Sequence, residues 1–177
     1  MDDIAHELSM SKRTLYQIFK DKEELLMACL DHRMEIHQQE MQTRLLQTDN
    51  VLELVLSDLE SKFKYFRQVS PLFFSELVRY PRVVEKFETI RRLQRERAVE
   101  FLSRGVEQGL FLPHVNFLLF YDIVTQHSVS YEKMLSLNYP PFELFLHMAF
   151  YNLRGITTAK GAKMMDDFRE SLFSDAM

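Results

Sequence analysis

IAHELSMSKRTLYQIFKDKEELL, residues 4–26, reads as two short amphipathic helices and the opening of a third. Ile4, Ala5 and Leu8 share one face at helical spacing, and Asp2 and Asp3 suit a first turn, where the helix dipole favours anions. Ser9-Met10-Ser11 forms the connection, and the Ser11 hydroxyl is placed to cap the second helix. That helix is predicted over Lys12–Phe19, with Leu15, Ile18 and Phe19 on its inner side. Asp21 then caps a third helix that has Glu23 and Glu24 in its first turn. Two short helices joined by three residues make a helix-turn-helix, whose second helix must present polar groups to a duplex. Ser11 opens that outer face, and Lys12, Arg13, Thr14, Tyr16 and Gln17 continue it. Lysine and arginine reach phosphates or guanine, glutamine pairs with adenine, and threonine touches a thymine methyl. The spacing alone is shared with many helical hairpins that bind no DNA.

The composition sets limits around this segment. The chain has 177 residues, 46% hydrophobic and 27% charged, which fits a soluble globular protein with a substantial core. Four glycines and five prolines over that length favour long helices over a many-stranded sheet. A net charge of −4 argues against a surface that coats nucleic acid as a whole. Locally the balance reverses: Lys12, Arg13, Lys20 and Lys22 face only Asp21 between Ser11 and Lys22. Such a run taken alone is also what a solvated surface looks like. Cys29 is the single cysteine, so an intramolecular disulfide and a cysteine-built zinc site are excluded, and a reducing, cytoplasmic compartment is expected. No apolar run of about 18 residues marks a membrane span, and MDDIAHELS lacks the pattern of a signal peptide.

The rest of the chain continues in helices. The third is predicted to extend to about Leu46, with a break at Thr48-Asp49-Asn50. Leu52, Val55, Leu56, Leu59, Phe63 and Phe66 follow at helical spacing, Ser70-Pro71 opens a short helix, and Pro81 opens a long one to about Glu107. Gly109 suits its C-terminal turn. Further helices are predicted over Phe117–Leu135, Phe142–Ile156 and Ala162–Phe173, giving an all-α chain of about nine helices. Between Phe142 and Ile156 the fixed charges are Glu143 and Arg154 alone, and apolar residues wrap the circumference. A helix apolar all round needs cover on two sides. A second copy of the chain is expected to supply it, with Leu118, Phe145, Met148 and Ala149 at the interface; the alternative is a central helix of a monomeric bundle.

The wording of residues 4–26 resembles the DNA-binding domain of the TetR family. The resemblance rests on Ile4-Ala5, Ser11, Thr14-Leu15-Tyr16, Phe19 and Lys22-Glu23-Glu24-Leu25-Leu26; GLF at 109–111 and RGITTAKG at 154–161 support it weakly. It implies residues 1–27 as part of a DNA-binding domain and 28–177 as a helical ligand-binding and dimerisation domain. The implied function is a regulator, a repressor that releases an operator duplex on binding a small apolar effector. By position it implies that Lys12, Arg13 and Thr14 meet bases or backbone, that Tyr16 and Lys22 bond phosphates, and that Ile4, Ala5, Leu8, Leu15 and Phe19 are core. The family's habit of placing its pocket between the middle helices points to Phe66, Phe87, Tyr121 and His127 as effector contacts. Ser9 stands where the family commonly has glycine, which implies strain in a left-handed turn, and Ile18 stands at a commonly polar position. The family also places a helix ahead of this pair. With the sequence beginning at Met1, Ile4, Leu15 and Phe19 are expected to lack part of their cover, and operator binding is expected to be poor.

Other classes find less support. The six histidines make no i, i+4 pair with one another, and no metal or cofactor site is expected. His127 lies mid-helix near Asp122 and Gln126, which suits either a satisfied core residue or a pocket anchor. Fifteen phenylalanines and ten methionines fill a core as readily as they line a pocket. Arg91, Arg92, Arg95 and Arg97 alternate with Glu88, Glu96 and Glu100 as a solvated helix face. With no glycine-rich phosphate loop, nucleophile elbow or metal motif, no catalytic residue is expected. The remaining alternative is a helical protein-interaction module with a vestigial DNA-binding head.

Overall fold

The computed structural model describes residues 1–127 and 139–174, apart from the side chains at 66, 71, 74, 75, 126, 127, 141, 142 and 171–174. Nine helices lie among the described residues: α1 Asp2–Glu7, α2 Lys12–Ile18, α3 Lys22–Leu45, α4 Val51–Gln68, α5 Pro71–Leu77, α6 Pro81–Glu107, α7 Phe117–His127, α8 Pro141–Ile156 and α9 Ala159–Ser174. The chain is all-α. Residues 128–135, read from the sequence as the end of the helix that starts at Phe117, lie outside the described residues.

Local chemistry sets most helix starts. The Ser11 hydroxyl accepts from the Thr14 backbone N–H at 3.0 Å, and Asp21 accepts from the Glu24 N–H at 2.8 Å. Glu24 answers by accepting from the Lys20 N–H at 2.6 Å, so the turn between α2 and α3 is closed from both sides. Pro71 and Pro81 open α5 and α6, where a missing N–H costs nothing. The start of α4 is capped from a distance: Gln108 Oε1 accepts from the Val51 N–H at 2.9 Å while its Nε2 donates to the Asp49 carbonyl at 2.7 Å.

The core gathers Val51, Leu52, Leu56 and Leu59 of α4, Leu102 of α6, and Leu110, Phe111 and Phe117 from the following turn and α7. Ala149, Leu153 and Ile156 of α8 and Met165 of α9 complete it. Each of the larger side chains contributes about 1.5–3 kcal/mol on full burial. The stretches at 109–111 and 154–161 meet beside this core. Phe111 and Thr157 form an isolated antiparallel bridge, flanked by the Leu112 N–H on the Ile156 carbonyl at 2.8 Å and the Thr158 N–H on the Leu110 carbonyl at 3.0 Å. The last helix therefore starts at Ala159, earlier than Ala162 as the sequence predicts. The Thr158 hydroxyl caps it, accepting from the Gly161 N–H at 3.3 Å. Gly161 falls inside the first turn because the Leu110 backbone passes too close for a Cβ.

α3 joins the N-terminal helices to the body. None of its residues is fully buried, and it packs on α4 and α6. His37 bonds Asp58 of α4 at 2.6 Å, Arg33 lies over the Tyr65 ring at 5.0 Å, and Lys86 of α6 pairs with Asp31. The division at 27/28 drawn from the sequence falls within this helix.

Candidate nucleic-acid interface

α1 and α2 pack together through Ala5 and Leu15, which are 4% and 2% exposed. Leu15 is thus fully covered, against the expectation of an open flank, because it sits between the two helices. Ile4 and Phe19 are half-buried. Two residues read as inward-facing are not. Leu8 is 58% exposed, since α1 stops at Glu7 and the chain turns away there. Ile18 is 57% exposed at the end of α2, on the outer side with the polar residues. The connection carries the expected strain: Ser9 has φ 51°, in the left-handed region that favours glycine.

The polar face of α2 is exposed at Ser11, Lys12, Arg13, Thr14, Tyr16 and Gln17, and Lys22 is exposed at the start of α3. Their side chains differ in what they already hold. Ser11 is committed to its cap, and its hydroxyl also lies 2.7 Å from the Thr14 hydroxyl. Lys12 pairs with Asp2 at 2.7 Å, an exposed pair that a stronger anion can displace. The Asp2 hydrogen bond raises the Lys12 ammonium above its ordinary range. Arg13 and Gln17 hold no side-chain partner among the described residues. Lys22 donates to Glu76 of α5 at 2.8 Å, a contact between distant segments that no local sequence pattern signals. The arrangement offers a duplex one guanidinium, one amide and two ammonium groups along one and a half turns of helix and the start of the next.

The residues expected to meet an effector are spread over α4, α6 and α7. Phe87 is 42% exposed, and the Tyr121 hydroxyl donates to the Arg91 carbonyl at 3.1 Å. The side chains of Phe66 and His127 lie outside the described ones. A cleft of about 540 Å³ is lined by Glu85, Glu88, Thr89, Arg91, Arg92 and Arg95 of α6 and Asp122 of α7, and by none of the residues expected to meet an effector. Its walls are ionic, and Arg95 grips Asp122 through two bonds of 2.8 and 2.6 Å. Of the residues expected at the interface between copies, Leu118 is 39% exposed, Phe145 and Met148 are half-buried, and Ala149 belongs to the chain's own core. No described helix is long and apolar enough to cross a membrane.

No curated protein and no solved structure matches the chain. Residues 1–29 match the family model described as bacterial regulatory proteins, tetR family. The matched segment holds α1, the strained turn, α2 and the first two turns of α3, and so contains every residue of the polar face. Residues 1–29, which hold the helix-turn-helix, are accordingly similar to the N-terminal DNA-binding segment of bacterial regulatory proteins of the tetR family.

Proposed function

We propose that the protein is a transcription repressor that binds an operator duplex as a homodimer and lets it go when a small molecule occupies the helical body. The observation that carries the DNA-binding part is the exposed face of α2, where Arg13 and Gln17 stand uncommitted beside Lys12 and Tyr16. Arginine and glutamine at such positions read guanine and adenine edges in the major groove. Lys22 and the free N–H groups at the start of the long helix α3 add a phosphate contact.

Pairing is supported by exposed apolar side chains on α7 and α8. Leu118 and Leu119 of α7 are 39% and 56% exposed, and Tyr151 of α8 is 70% exposed. Two copies joined there would present two recognition helices, and the operator would carry two symmetric half-sites. Phe66, Phe87, Tyr121 and His127, on the middle helices α4, α6 and α7, remain the proposed contacts of a small apolar effector. The proposed setting is the cytoplasm, with no catalytic step.

Enrichment of bound duplexes from a random-sequence pool tests this reading. The protein should select an inverted repeat, and the selected duplex should outcompete unselected DNA. A pool that emerges without enrichment contradicts it.

A further inference from the structure

Lys22 opens α3 directly beyond the recognition helix, and its ammonium is already held by the body of the protein. Nζ lies 2.8 Å from Oε2 of Glu76, which belongs to α5 and is 54 residues away in sequence. The same ammonium stands 6.0 Å from the centre of the Tyr80 ring, at the cap of α6. Glu23 reaches the same corner, where its Oε1 accepts from the Arg82 N–H in the first turn of α6 at 3.0 Å. Adjacent residues of α3 are therefore tied to both sides of the α5–α6 corner, one through its cation and one through its anion.

We infer that Glu76 is a positioning residue that competes with DNA phosphate for Lys22. The inference rests on the DNA-binding reading above and names a regulatory contact within it. A carboxylate oxygen and a phosphate oxygen ask the same of an ammonium: a short charge-assisted bond to an anionic acceptor. While Glu76 supplies that acceptor, the charge of Lys22 is neutralised inside the protein. The hydrogen bond that Lys22 donates to Glu76 holds the Lys22 ammonium above its ordinary range, and the same bond holds the Glu76 carboxyl below its own. Both side chains are close to half exposed, at 45% and 46%, so the pair is weak enough for a phosphate to exchange with it. Any movement of the α5–α6 corner that withdraws Glu76 frees Lys22, and any movement that presses it forward blocks a phosphate contact. The state of the body is thereby read at the DNA surface without a change in α2.

A double-mutant cycle on binding to a mixed-sequence DNA duplex at low salt tests this, using the whole chain as wild type, Glu76→Gln, Lys22→Ala and the pair. Glu76→Gln should tighten binding about two- to fivefold, the range set by an exposed ion pair. Glu76→Asp, which keeps the charge, should stay near wild type. In the Lys22→Ala background the Glu76→Gln effect should vanish. The same gain with and without Lys22 would show a general charge effect and overturn the competition. No gain from Glu76→Gln, with duplex binding intact, would also overturn it and leave the DNA-binding reading standing. A duplex bound by none of the four proteins would remove that reading, and the inference with it.

Discussion

Ser9 occupies a left-handed turn position with φ 51°, where glycine is at ease, and Gly161 occupies a helical first turn that leaves no room for a Cβ. At φ 51° the Ser9 Cβ crowds the backbone, so Ser9→Gly should relieve the turn and raise stability by about 1 kcal/mol, read as a shifted urea midpoint. A midpoint that falls would show that the glycine's extra freedom in the unfolded chain outweighs the strain. At Gly161 a Cβ would lie 2.5 Å from the Leu110 carbonyl oxygen, a backbone atom that the bridge beside it holds in place. Gly161→Ala should cost about 1–3 kcal/mol, the range for an overpacked site, and a substitution without cost would show that the clasp yields. The family resemblance announced the first of these, because Ser9 stands where the family commonly has glycine. It could not announce the second, since the close approach joins segments about fifty residues apart. Leu8 and Ile18 mislead for a related reason: apolar spacing gives the period of a helix but not where it ends, and each lies at or beside a helix end.

At the scale of elements, the α3–α4 contact turns on one carboxylate. Burial pushes Asp58 up, but the His37 hydrogen bond and the Lys62 charge outweigh it and hold the group at about 2. That value lies below the ordinary 3.8, so ionised Asp58 stabilises the fold above about pH 4, and the contribution is lost as pH falls through about 2. The shift corresponds to about 2 kcal/mol. Urea midpoints of wild type and Asp58→Asn should therefore differ at neutral pH and converge between pH 4 and 2; a gap that stays constant would assign the effect to packing. Helix starts were legible wherever a cap or a proline marks them, as at Ser11, Asp21, Pro71 and Pro81. The start of α9 was not, because Thr158 acts as its cap only once its N–H is held by the Leu110 carbonyl. The exposed polar residues of α2 were readable, though Ile18 beside them was not, whereas the Lys22–Glu76 bond was hidden, since nothing near either residue records the other.

For the molecule as a whole, binding to a two-half-site operator needs two recognition helices presented together by one paired body. Leu119 is 56% exposed on α7, so Leu119→Glu should convert a dimer to a monomer by light scattering while leaving the helical content unchanged. A variant that stays paired would move the interface elsewhere. The proposed function stands on the outer face of α2 reading DNA. The most direct test is the affinity of wild type and Arg13→Ala for the enriched duplex, measured over a series of salt concentrations. Arg13→Ala should weaken binding by about 1–3 kcal/mol and relax preference at one base pair, against wild-type binding that loosens steadily as salt rises. Equal affinities for the two proteins on that duplex, with the same base preference, would contradict the account.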